Sequence, residues 1–473
     1  MKTCFARPFF MVLALAFIAF TRPALAQALT AEQKLLREIY QELVEINTTD
    51  SAGDTTRASE AMAARLKAGG IPAADIKVIV PPDGPRKGNL VARLKGSGAK
   101  KPLLLLAHID TVEAKREDWE RDPFKLVEEN GYFYARGAAD DKAMAAALVA
   151  NVIRMKQEGH LPNRDIILAL TTDEEIIPSK FSGIEYLLKN HRDLIDAELA
   201  LNEGGSGLID KNGKYLYHGI LAAEKVFQTY RLEVTNPGGH SSRPSKDNAI
   251  YHLADGLSRL GKFDFPFKLT AVTRAYFERA SALESGEVAS DMQAILRDPP
   301  DPQALARLTN VPGYNALIRT TCVATMLDAG HATNALPQRA RGVVNCRVIP
   351  GDSVAEVQKT LTRVLADDKI SLKPDGEPVL APPAPLTPEI MRPVTDISAQ
   401  MWPGVPVIAT MTTGATDGRF LANAGIPTYG ITGQFRDADG GGVHGLNERL
   451  RVRSLYEGQE FLYRLIKALS SAK

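Results

Sequence analysis

Three short apolar runs in this chain each end in acidic or imidazole side chains: LLLLAHIDTV at 103–112, IILALTTDEE at 166–175 and LALNEGG at 199–205. Continuous apolar strands alternating with helical patterns indicate a parallel sheet covered on both faces. Ligands of such sheets bind at the carboxyl ends of the strands. The pattern therefore sets an α/β class and gathers the polar residues at one edge of the sheet. Periodicity predicts helices over 30–46, 59–67, 142–157 and 183–190, with strands over 90–94, 102–107, 165–170 and 197–201.

The middle of the chain reads differently. Residues 229–234 and 341–348 alternate apolar and polar side chains, as half-buried antiparallel strands do, and 248–260 between them reads as a helix. Residues 263–312, rich in Pro, Asp and Ala, read as an inserted helical excursion. The α/β pattern resumes with helices at 354–365, 417–423 and 454–469 and strands at 406–411 and 428–431. The expected organisation is one α/β domain, 27–223 plus 353–473, interrupted by an α+β domain at 224–352. A chain of 473 residues is long enough for two or three such cores. Its formal net charge of +1, with no basic cluster, argues against a nucleic-acid partner.

The first 26 residues read as a signal peptide. Lys2 and Arg7 precede an apolar run at 9–20, and Ala24-Leu25-Ala26 offers a cleavage site before Gln27. A run of 12 apolar residues is too short to span a bilayer. The expected location is therefore periplasmic or secreted, with no membrane span after cleavage. Cys322 and Cys346 remain beyond that point and are expected as two buried free thiols, although an oxidising compartment would allow them to pair.

Strand alternation puts His108 and Asp110 on one side, where Asp110 could accept a hydrogen bond from the imidazole N–H facing away from a metal. Asp140 and Asp141, in RGAADDKAM, precede a helix; capping would explain one of them. Asp173, Glu174 and Glu175 form an acidic triplet that a solvated loop would tolerate and a cation would stabilise. Glu203 ends the third strand, and His444, in GGVHGLNERL, comes from the far end of the chain. His240, in NPGGHSSRP, could equally be a buried structural histidine. No Gly-x-Ser-x-Gly follows a strand, which removes a serine hydrolase reading.

Taken jointly, AHIDTV, RGAADDK, TTDEE, LNEGG, GGHSSRP, the Asn of HATNALP, NCRVIPGD, TTGATDGRF and HGLNE resemble a known family across residues 30–470. These are the dinuclear zinc amidohydrolases that include glutamate carboxypeptidase, aminoacylase, carnosine dipeptidase, succinyl-diaminopimelate desuccinylase and yeast carboxypeptidase S. Ala143 stands where many relatives have Gly, a change that should not affect ligation.

The resemblance implies a mixed, mostly parallel sheet sandwiched by helices, with an inserted dimerisation or lid domain. It implies two Zn2+ per subunit, with Co2+ or Mn2+ as substitutes. Asp140 would bridge them, His108 and Glu203 would complete one site, and Glu175 and His444 the other. Glu174 would be the general base and Asp110 its orienting acid. His240 would reach the active site of a partner subunit in a homodimer, while Asn334, Arg347 and Gly414 would hold the substrate carboxylate and nearby polar atoms. A cis peptide is implied at Asp140-Asp141. The 263–312 excursion is similar to that of carboxypeptidase S and secreted N-acyl-amino-acid hydrolases, so a small peptide or N-acyl amino acid is the expected substrate. The competing expectation is a metal-free binding or dimerisation protein on the same scaffold.

Overall fold

The computed structural model describes residues 28–471; the signal-peptide expectation for 1–26 lies outside them. A ten-stranded sheet forms the larger layer. Its centre is the strand Leu103–His108, flanked in parallel by Ile166–Thr171 and Leu199–Asn202. Side chains of successive strand residues point to opposite faces, so Leu103, Leu105 and Ala107 enter one core while Leu104 and Leu106 enter another. The first core is closed by the helices Ala31–Glu45, Lys142–Gln157 and Val452–Ser470. Helices Gly183–Asn190 and Gly418–Asn423 close the second. Two-sided burial explains why these strands read as unbroken apolar runs. The sheet is mixed: Asn89–Leu94 runs antiparallel to Ile166–Thr171, while Thr428–Gly430 pairs in parallel with Leu199–Asn202 and Val407–Thr412 in parallel with Tyr215–Glu224.

Helix Lys142–Gln157 is buried nearly all round, and its run of alanines (Ala143, Ala145, Ala146, Ala147, Ala150) lets neighbouring backbones come close. Its first residue, Lys142, is fully buried, and its Nζ donates to the Ile46 carbonyl at 2.8 Å. Helix Ala31–Glu45 begins with a capping box between Thr30 and Gln33.

The second layer is an antiparallel four-stranded sheet ordered Thr321–Ala329, Arg339–Val348, Val226–Thr235, Ser371–Asp375. Helices Ala249–Leu260 and Val354–Leu365 cover one face of it. The expected boundary at 352 is therefore too early. Val357, Leu361 and Leu365 form an apolar stripe that packs with Tyr230 and Leu253, which keeps the helix in the second layer, and the strand Ser371–Asp375 follows it there.

The excursion is helical, as expected, in four pieces from Ala271 to Leu317 with a small core around Phe277, Met292 and Leu308. Its first helix also packs Val272 against Ala409 and Met411 of the strand Val407–Thr412, covering an edge of the large sheet. Cys322 and Cys346 are directly paired residues of neighbouring strands and form a disulfide, so the free-thiol expectation is corrected. Among the described residues no helix is long and apolar enough to cross a membrane.

Candidate metal centre

The ends of the central strands converge on Asp140. His108, the last residue of its strand, places Nε2 3.2 Å from Asp140 Oδ1 and 3.9 Å from Glu203 Oε1. His444, more than three hundred residues later, places Nε2 3.4 Å from Asp140 Oδ2 and 2.9 Å from Glu175 Oε1. The ligand-capable groups form three sets whose atoms lie within 4.8 Å of one another: His108, Asp140 and Glu203; Asp140, Glu175 and His444; and His108, Glu174 and Glu175. Asp140 thus faces an imidazole through each of its oxygens. The Asp140-Asp141 peptide is cis.

The electrostatics are those of crowded acids in a dry place. Burial pushes the Glu174 and Glu203 carboxyls well above the usual carboxylate range. Burial acts the same way on Asp140, but hydrogen bonds with His108 and His444 outweigh it and hold that carboxyl well below its ordinary value. Asp140 and Glu175 together raise His444 to about 10. Acids this close keep their charge only beside cations. Two imidazoles and several carboxylates without thiolate form a donor set suited to zinc, cobalt or manganese, so the residues present fit a metal centre.

Asp110 has partners beyond the imidazole expected for it. His108 Nδ1 lies 3.1 Å from the main-chain oxygen of Asp110 and 3.5 Å from its carboxylate. The carboxylate oxygens also accept the backbone N–H groups of Glu174 at 3.2 Å and Glu175 at 3.1 Å. Asp110 therefore orients the acidic loop as well as neighbouring the imidazole.

Four expected substrate residues lie elsewhere. Arg347 sits half-buried on the open face of the second sheet, its guanidinium 4.6 Å from the Phe227 ring centroid, with no carboxylate in ion-pair range among the described residues. His240 is exposed on a two-residue strand paired with Ala335–Leu336, and the Asn334 carbonyl accepts the Ser241 N–H beside it. Gly414 N donates to Thr412 Oγ1 in the loop after Val407–Thr412. Between the two layers, beside the acidic loop, is a cleft of about 530 Å³. Ile176, Pro178, Phe227, Val379 and Phe420 give it apolar walls, and Arg419 adds a cation.

Glu448, which has no assigned part in the sequence reading, is fully buried and accepts four N–H groups from the segment leading to Asp140. A carboxylate four residues after His444 was the available signal.

Residues 104–468 match the profile of peptidase family M20/M25/M40. The human N-fatty-acyl-amino acid synthase/hydrolase PM20D1 is 30% identical over 382 residues, which cover 77% of this chain and 74% of that protein. The probable carboxypeptidase S-like 2 of Dictyostelium discoideum is 30% identical over 393 residues, 80% of this chain and 74% of that one. Among solved structures, the M20 family metallo-carboxypeptidase Sso-CP2 from Sulfolobus solfataricus superposes with a TM-score of 0.68 at 18% identity, covering 93% of this chain and 99% of that one.

Proposed function

The chain belongs to peptidase family M20/M25/M40, and from that premise we propose that it is an exported, zinc-dependent hydrolase of peptide or N-acyl amide bonds in small substrates that carry a free carboxylate. The observation that carries this reading is the convergence of His108, Glu203, Glu175 and His444 on the two oxygens of Asp140. His108, Asp140 and Glu203 would hold one zinc, and Asp140, Glu175 and His444 the other. Zinc, when bound, supplies a Lewis acid that polarises the scissile carbonyl and eases deprotonation of water.

The chain's own groups do the rest. Glu174 is buried, is held through its backbone by Asp110, and has a carboxyl whose proton affinity burial has raised. It takes the proton of the attacking water and passes it to the leaving nitrogen as the C–N bond breaks, leaving a carboxylate and an amine. Arg347, stacked on Phe227 and without a carboxylate of its own, accepts the substrate carboxylate in its planar fork. Asn334 and the backbone of Gly414 hold neighbouring polar atoms. The apolar cleft beside Glu175 takes the acyl group, in keeping with the acyl-amino acid activity named for the human relative.

Homodimerisation is supported by the edge strand Thr321–Ala329, which leaves Val323, Met326 and Leu327 more than half exposed. Export is supported by the Cys322–Cys346 disulfide, a bond that persists in oxidising compartments. The test is zinc content together with chelator-sensitive hydrolysis of a panel of dipeptides and N-acyl amino acids. Two zincs per chain and cleavage of at least one substrate class are expected. A protein that retains no zinc and cleaves nothing is the metal-free binding protein instead.

A further inference from the structure

We propose that Glu448 is a positioning residue that sets the Asp140 carboxylate between the two imidazoles by holding the backbone of its loop. The inference rests on the metal-centre reading above. Glu448 Oε1 accepts the N–H groups of Ala139 at 2.7 Å and of Asp140 at 3.1 Å. Its Oε2 accepts the N–H of Gly137 at 3.1 Å and Arg136 Nη1 at 2.7 Å. Both oxygens are thus saturated inside the protein, with none of the side chain left to water.

One of these donors is the amide of Asp140 itself. A backbone rotation there would carry the Asp140 oxygens away from His108 and His444, from which they stand 3.2 and 3.4 Å. The same residue also frames the second loop. Arg136 Nη2 donates to the carbonyl of Gly445, next to His444, and the Glu448 carbonyl accepts the Ala135 N–H. The strand Arg449–Arg451 that follows pairs with Tyr132–Tyr134 just before the Asp140 loop. Two ligands far apart in the sequence, Asp140 and His444, are therefore locked in one frame by a carboxylate that touches neither imidazole.

Glutamine at 448 would turn an NH2 group toward one pair of N–H donors and could not satisfy all four. Aspartate would keep the charge but draw it back from the amides. Full-length wild type, Glu448→Gln and Glu448→Asp, stripped with chelator, would be titrated with Zn2+ against a chromophoric competitor, and their Co2+ forms compared by visible absorption. Outer partners of ligands govern affinity by about 10–100-fold, so both variants should bind the metal that much more weakly and show an altered cobalt spectrum, with cooperative unfolding retained. Should Glu448→Gln fail to fold, Glu448→Asp decides. Folded variants with wild-type zinc affinity and an unchanged cobalt spectrum would overturn the proposal and leave Glu448 a structural residue. A wild type that binds no zinc would instead sink the metal-centre reading on which it rests.

Discussion

Glu174 and Glu175 leave the same strand on consecutive residues, both with backbone N–H groups held by Asp110, yet only Glu175 lies against His444. Their tasks separate accordingly. Glu174→Ala should keep both zincs and lose about 10²–10⁴-fold in turnover, the usual weight of general acid–base help. Glu175→Ala should lose metal as well as activity. Zinc analysis beside single-substrate kinetics checks the pair; a Glu174→Ala protein with full rate would remove it from the base role. At this scale the sequence was informative where chemistry demands a residue type at a strand end, as for His108, Glu175 and Glu203. Glu448 was not legible because its partners are mostly backbone amides, which leave no pattern of residue types. The contacts of Asp110 with the Glu174 and Glu175 amides escaped in the same way, since they too are to backbone groups of another loop.

Elements were legible where burial imposes a period. The helix Lys142–Gln157 and the strand Leu103–His108 emerge from composition and alternation, whereas assigning Val354–Leu365 to the second layer depends on which core its apolar stripe meets. The strand Tyr215–Glu224 has no such expectation in the sequence, because polar and apolar residues mix at its start. Its centre holds His218, fully buried against Trp402 and Phe461, with Nδ1 2.8 Å from Ser398 Oγ. Burial pushes this imidazole down from 6.5 to about 3. A folded pKa below the unfolded one means that stability is full above about pH 6.5 and falls as the pH drops toward 3, by up to about 1.4 kcal/mol per pH unit. His218→Leu removes the titration and leaves the Ser398 hydroxyl unpaired at every pH. The gap in urea unfolding free energy between wild type and variant should therefore shift in the variant's favour from pH 7.5 to pH 5. A gap that does not change with pH would show that His218 does not resist protonation in the fold.

Two layers joined by a cleft pose a question that no single chain answers. His240 and Asn334 share a small exposed ribbon and form no hydrogen bond or ion pair with the ligand side chains of their own chain among the described residues, while the neighbouring layer ends in an apolar edge strand. Both facts are accommodated if the ribbon serves the site of a second copy, where His240 would donate to the oxyanion. On that arrangement a His240→Ala chain keeps a sound metal centre, and a Glu174→Ala chain keeps a sound His240. Each homodimer should be nearly inactive, since losing an oxyanion donor costs about 10²–10³-fold. A mixed dimer holds one site with both defects and one with neither, so site counting gives it up to about half the activity of a wild-type dimer. Co-expression with two different tags and tandem purification isolates the mixed species for assay. Recovery shows that catalysis crosses the interface. A mixed dimer as inactive as its parents would place His240 within its own chain's site or outside catalysis, and a fully active monomer would dispose of the second copy altogether.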